Sequence, residues 1–284
     1  MSFSEAVALW WVVPAGLALL GYGLSLAGLS RAQRAEWVTA RIVEVLPPAH
    51  GDSKRPGIPV TVAFQDPAGG AEFTLPNAGK HGDAVHQAWV GREVDVRYPP
   101  GRPHRFRIVL DASDEKHGRA GPNCTVFLLL LGVAIHATVA RGYPYALIGF
   151  GGLVTYCTAF GQDIRQARAR DALLASAVAV PGRVVAVTRD VYTDGEGGEV
   201  INHAPVVAFT TLDGTRVTAL SLDGIPAPSR SLDRDLTIHY SPADPAVWTH
   251  DLAAERRGNE TTVAVVVIAA VLGIAAVVTG AILL

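Results

Sequence analysis

The sequence predicts an integral membrane protein of four helical spans. It carries two small antiparallel all-β domains, barrel- or sandwich-like, built by internal duplication of a helix–β-domain–helix unit. Three observations lead there. Charged residues make up 18% of the 284-residue chain, against roughly 25% in ordinary soluble domains. Four apolar segments punctuate it, at residues 7–29, 124–140, 145–161 and 262–284. One stretch is also written twice: Arg92-Glu93-Val94-Asp95-Val96-Arg97-Tyr98-Pro99-Pro100-Gly101-Arg102-Pro103 returns 142 residues later, half the chain length, as Arg234-Asp235-Leu236-Thr237-Ile238-His239-Tyr240-Ser241-Pro242-Ala243-Asp244-Pro245.

Each copy of that stretch alternates apolar and polar residues, the pattern of a half-buried strand. Proline donates nothing to a sheet ladder, so Tyr-x-Pro-x-x-Pro ends the strand and turns the chain. Tyr98, Pro100 and Pro103, with Tyr240, Pro242 and Pro245, are therefore the structural signature of the repeat. A tyrosine in that place caps a small core and leaves its hydroxyl at the surface.

In chain order, residues 7–29 form the first predicted span. They lack a basic leader and their apolar run is too long for a signal peptide, so they read as a retained helix. Trp10 and Trp11 suit a membrane interface, Pro14 a kink, and Gly16, Gly21, Gly23 and Gly28 close helix packing. The first β-domain, 31–122, holds five short strands, with a turn at Asp66-Pro67-Ala68-Gly69-Gly70 and a looser connection from Pro76 to Trp89. The second and third spans form a hairpin around Arg141-Gly142-Tyr143-Pro144. The second β-domain, 162–260, repeats the first: Gly182-Arg183-Val184-Val185 answers Ala40-Arg41-Ile42-Val43, Pro205-Val206-Val207-Ala208-Phe209 answers the segment from Pro59 to Phe64, and Trp248 falls where Phe106 stood. The fourth span ends the chain.

An even number of crossings between the β-domains puts both on one side. Arg31, Arg34, Lys116, Arg119, Arg165, Arg168, Arg170, Arg256 and Arg257 flank the spans on the domain side, and only Arg141 stands opposite. Basic flanks stay cytoplasmic, so the expected location is a bacterial cell membrane, with cytoplasmic β-domains and both termini outside. The expected partners are the lipid bilayer and either a protein or further copies of the chain. A net charge of −2 offers nucleic acid no basic field.

Few side chains invite a chemical role. His136 lies inside the second span, where a polar residue is a functional candidate by default. The plainer reading is a histidine near the interface, since no carboxylate in any span partners it for proton relay. Cys124 and Cys157 sit at similar depths on the hairpin arms, and read as small apolar residues in a reducing compartment. The loop of Asp190, Asp194, Glu196 and Glu199 lacks calcium-loop spacing. His81, Asp83 and His86 lack further metal partners. Gly149-Phe150-Gly151-Gly152 has no preceding strand, so it marks helix packing rather than a phosphate loop. No metal, cofactor or catalytic residue is expected.

Gly182-Arg183-Val184-Val185, Pro205-Val206-Val207-Ala208-Phe209 and the Tyr-x-Pro-x-x-Pro turns resemble the bacterial membrane family catalogued as domain of unknown function 3592. That family sets a small β-domain beside or between membrane helices. The resemblance covers both β-domains and is best at Tyr240 to Pro245, whereas Pro99 and Gly101-Arg102 depart from the usual polar and acidic positions. It implies no catalytic residues. The expected function is a non-enzymatic interaction or scaffold protein. The alternative is an oligomeric transporter or channel-like element or a membrane sensor component, and a membrane enzyme would need an active site on the β-domain loops.

Overall fold

The computed structural model describes residues 10–30, 32–46, 48, 50, 57–77, 85–110, 116, 120–160, 163–193, 195, 197–221 and 225–284. The chain divides into a helical unit (Met1–Arg34, Ser113–Arg168, Gly258–Leu284) and a β unit (Ala35–Ala112, Ala169–Arg257). The helices are α1 (Val12–Leu26), α2 (Ala120–Arg141), α3 (Tyr143–Phe160), α4 (Asp163–Leu174) and α5 (Leu252–Ile282).

The expectation of four membrane spans is corrected. Among the described residues, two helices are long and apolar enough to cross a membrane, in α2 (Gly121–Arg141) and α5 (Leu252–Ile282). The helix α1 has 15 residues, or about 22 Å at 1.5 Å per residue, against a hydrocarbon core of about 30 Å. The helix α3 has 18 residues, but Tyr143, Pro144, Tyr145, Tyr156 and three glycines dilute its apolar content. Pro14 falls in the first turn of α1, where a missing N–H breaks no helical bond.

Small residues set the packing inside the helical unit. Gly142 alone joins α2 to α3, at φ +94° with its N–H on Thr138 O at 2.8 Å, a left-handed helix stop that glycine adopts without strain. A Cβ on Gly149 would lie 2.6 Å from Ala134 Cβ, and one on Gly273 would lie 2.6 Å from Thr155 Oγ1 and 2.9 Å from Gly151 O. Gly273→Val therefore forces α3 and α5 apart. The expected outcome is a lower thermal midpoint of the detergent-solubilised chain, with Gly16→Ala, which meets nothing within 4 Å, close to wild type.

The β unit holds two antiparallel sheets. The first has the order β3-β2-β1-β5-β6, with β1 Glu36–Val45, β2 Val60–Gln65, β3 Glu72–Pro76, β5 Glu93–Tyr98 and β6 Arg107–Val109. The second has the order β11-β10-β7-β8-β9-β4, with β7 Val178–Thr193, β8 Glu199–Thr210, β9 Arg216–Leu220, β10 Asp235–Ser241, β11 Asp244–Thr249 and β4 Gln87–Ala88. Leaving β4 aside, the two orders are the same. The duplication extends to register: all six β1–β5 pairs, from Glu36↔Tyr98 to Arg41↔Glu93, recur 142 residues later in β7–β10, from Val178↔Tyr240 to Arg183↔Asp235. A bulge interrupts β1 between Ile42 and Glu44, and its copy interrupts β7 between Val184 and Ala186.

Each sheet has its own core. Ile42, Val60, Val62, Phe64, Val96, Tyr98 and Phe106 centre the first, and Val184, Val207, Phe209, Ile238, Tyr240 and Trp248 the second. The strand β4 breaks the symmetry. It lies in the stretch expected as a loose connection, and it pairs with β9 through Gln87↔Ala219 and Ala88↔Thr218. Leu220 N donates to His86 O at 2.7 Å, Val187 N donates to His50 Nδ1 at 3.3 Å, and Trp89 packs on the second core. The first half thus lends a strand to the second sheet.

Candidate functional site

The repeat signature builds its site from β5 and β10. Alternation turns Val94, Val96 and Tyr98 inward on β5, and the shared register puts Tyr240 in the same place on β10. Both tyrosines are almost fully buried, at 1% and 2% exposure, so the expected surface hydroxyl gives way to an internal one. Tyr98 stacks on Phe64 (5.5 Å between centroids), which also meets Phe106 (6.0 Å). Tyr240 stacks on Phe209 (5.7 Å), which meets Trp248 (6.2 Å). In each core the phenol and two further rings form one cluster, and the phenol's oxygen exits toward a hairpin turn.

The two exits differ in chemistry. Tyr98 Oη donates to Asp66 Oδ1 at 2.8 Å, in the turn between β2 and β3. Tyr240 Oη accepts from Leu212 N at 2.8 Å, in the turn between β8 and β9. Glu36, opposite Tyr98 in the ladder, also faces the phenol, and its Oε2 is buried with no hydrogen-bond partner. Val178 takes its place in the second copy. Only the first copy therefore gathers two carboxylates at its tyrosine.

Protonation follows from that crowding. Burial, then the bond to Asp66 and the nearby Glu36 carboxylate, push the Tyr98 phenol well above its ordinary value. The Tyr98 hydroxyl, ahead of the backbone N–H groups of Ala68 and Gly69, holds Asp66 below the usual carboxylate range. A phenol pushed upward is a fixed donor, the opposite of an activated nucleophile or base. Because the folded pKa of Asp66 is depressed, its stabilisation is complete above the unfolded value of about 3.9 and is lost as pH falls through the lower folded value. The expected outcome is a thermal midpoint that drops on acidification below about pH 4, with the part due to Asp66 missing in Tyr98→Phe.

The remaining signature residues shape the chain. Pro100 is exposed in a turn, and Pro103 opens a single 3-10 turn, Pro103–Arg105. Pro242 sits at the tip joining β10 to β11, and Pro245 lies on β11 at the sheet edge, where a missing N–H is tolerated. The arginine that opens each copy is also structural. Ile42 N donates to Arg92 O at 2.8 Å and Val184 N to Arg234 O at 3.0 Å. Arg92 Nη1 donates to Gln87 O and its guanidinium lies 4.7 Å over the Trp89 ring, while Arg234 Nη1 donates to Pro226 O at 2.8 Å. Arg183 and Asp235 form a two-pronged ion pair at 2.7 and 3.2 Å. It is solvent-exposed, so it contributes little.

His136 is exposed on α2, with its ring 6.4 Å from that of Trp10. Cys124 and Cys157 are both exposed and unbridged. Gly149 and Gly151 lie in helix contacts. His86 contributes its backbone oxygen to the second sheet, whereas His81, Asp83, Asp194 and Glu196 lie outside the described residues. Among the described residues, no three His, Cys, Asp or Glu side chains gather where they could hold a metal. Asp66 and Glu36 were not singled out by sequence reasoning. Asp66 opens a Pro-Ala-Gly-Gly turn, which is the one local signal, and its meeting with Tyr98 spans 32 residues. No family model, curated protein or solved structure matches the chain.

Proposed function

We propose that this chain is a membrane-anchored, non-enzymatic interaction module, in which the helical unit holds an interlocked pair of β-domains at the membrane. The observation that carries this reading is the β4–β9 pairing. It makes one β unit of residues 35–112 and 169–257, a single body for the membrane helices to anchor. The signature residues supply no counter-indication, because their polar atoms are spent on turns and ladders.

Membrane anchoring is supported by the apolar windows of α2 and α5, of which only 6% and 11% is buried. The core helix of a soluble protein hides such a face. In this reading α2 and α5 are the helices that enter the bilayer. Basic residues at the domain-side ends favour a cytoplasmic β unit in a bacterial cell membrane. The resemblance of the Tyr-x-Pro-x-x-Pro turns and their flanking strands to domain of unknown function 3592 points the same way.

The test is affinity capture of the full chain from membranes solubilised in several mild detergents, after brief cross-linking in cells. Recovery of a stoichiometric protein partner or of a homo-oligomer is the expected result. A chain recovered alone and monomeric in every detergent would sink the reading.

A further inference from the structure

Sheets end in strands with unpaired backbone groups, and proteins cover or blunt such edges. Here β4 has two residues and β6 three, too short to template a partner. On the edge of β11 Pro245 has no N–H to offer, and Arg170 Nη2 takes up one carbonyl, donating to Trp248 O at 2.9 Å. That leaves β3, with five residues and an exposed outer row at Glu72, Thr74 and Pro76. Among the described residues nothing pairs with that edge.

Its sister edge shows how the fold treats this position. The counterpart of β3 is β9, with Thr218 standing where Thr74 stands opposite the matching alanine of β8 or β2. The edge of β9 is covered by β4 from the other half. The reciprocal loan to β3 would come from the matching segment of the second half, around residues 228–230. That segment folds instead as a 3-10 turn, Pro228–Arg230, and Pro226 and Pro228 remove the donors a strand needs.

The hydrogen bonds of the β2–β3 hairpin fix which groups face out. Asp66 N donates to Ala71 O and Asn77 N to Val60 O, both at 2.8 Å. Ladder alternation then turns the backbone of Phe73 and Leu75 toward β2, and that of Glu72, Thr74 and Pro76 outward. We propose that this edge is closed by β3 of a second copy of the chain, running antiparallel about a two-fold axis at Thr74. This rests on the reading of the chain as an interaction module and names its partner.

The pairing is self-complementary, as a two-fold interface requires. Thr74 exchanges both backbone bonds with Thr74 of the second copy. Glu72 N–H meets the carbonyl of the opposing Pro76, so the missing proline N–H falls opposite a Glu72 carbonyl. No like charges face each other, because Glu72 stands across from proline. Phe73 and Leu75, which already pack on the first core, come opposite each other across the join as an aromatic–aliphatic pair, a favourable cross-strand contact. The two five-stranded sheets become one continuous sheet.

The experiment uses the full chain in mild detergent with Cys124→Ala and Cys157→Ala, carrying a single cysteine. Directly paired residues in such a ladder lie about 5.5 Å apart at Cα, inside the range a disulfide spans. Under mild oxidation, Thr74→Cys is expected to give a disulfide-linked dimer at twice the 29.9 kDa chain mass on denaturing gels, while Glu72→Cys, out of register with itself, and Arg216→Cys on β9 give no covalent dimer. Light scattering is expected to show Thr74→Pro, and independently Thr74→Lys, halving the particle's protein mass without loss of the folded thermal transition. A monomeric wild-type chain, or no dimer from Thr74→Cys, overturns the pairing. A cross-link from position 74 to a different protein in native membranes also overturns it, yet leaves the interaction reading standing, which falls only if affinity capture yields neither a partner nor an oligomer.

Discussion

Tyr98→Ala is expected to lower the stability of the β unit by about 3 to 5 kcal/mol, the range for emptying a buried aromatic site. The site is closed on all sides: Tyr98 is 1% exposed and wedges against Phe64, which also meets Phe73 at 5.9 Å and Phe106 at 6.0 Å. With the ring gone, Phe64 at the centre of the aromatic cluster loses a neighbour, and the turn at Asp66 loses its tether. Tyr98→Phe separates the two effects. It keeps the packing and removes the bond to Asp66, so it is expected to cost about 1 kcal/mol. Urea unfolding of the full detergent-solubilised chain, followed by near-ultraviolet circular dichroism, distinguishes them. Equal losses in the two variants would show that the hydroxyl, rather than the packed ring, secures the site.

Gly182→Ala is expected to cost about 1 to 3 kcal/mol, as overpacking does, and Ile238→Val in the same chain to recover most of it. A Cβ at position 182 would stand 2.5 Å from Ile238 Cγ1 and 3.3 Å from Ala208 O. The first sheet has already solved that problem differently, because Ala40 occupies the place of Gly182 and Val96 the place of Ile238. One methyl has moved across the core between the copies, with volume conserved. Unfolding free energies of the two single variants and the double variant form a cycle. A double variant as unstable as the sum of the singles would mean that the copies are not interchangeable at this level.

The halves of the molecule were legible to different degrees. Alternation and turn residues marked the strands of both copies, and the 142-residue offset gave the correspondence that the ladders repeat pair by pair. The helix α4 was missed because three arginines dominate its composition, although Ile164, Ala167, Asp171 and Leu174 hold helical spacing and Ala167 and Leu174 are buried. The helix α5 starts ten residues before the apolar run, at an N-cap that composition does not reveal: Asp251 Oδ1 accepts from the backbone N–H of Ala253 at 3.0 Å and of Ala254 at 2.9 Å. Four apolar runs suggested four spans, but a run's length in sequence differs from the length of the helix it forms, as α1 shows. The two-residue β4 was beyond reach, because nothing local tells a strand lent to a distant sheet from a loop. At the signature, the tyrosines were legible as core residues and their hydroxyl partners were not, since those partners come from another hairpin.

The lent strand also orders events in time. Gln87 and Ala219 stand 132 residues apart in the chain, so a ribosome that has finished the first sheet has yet to make the strand on which β4 will rest. Between them come α2, α3 and α4. The nascent chain therefore carries His86 to Ala88 unpaired until translation is three-quarters complete. Closing that long loop is entropically costlier than forming any local hairpin, so the β4–β9 ladder is the last of the β unit to zip. A chain interrupted before β9 is made displays its incompleteness as an open sheet edge.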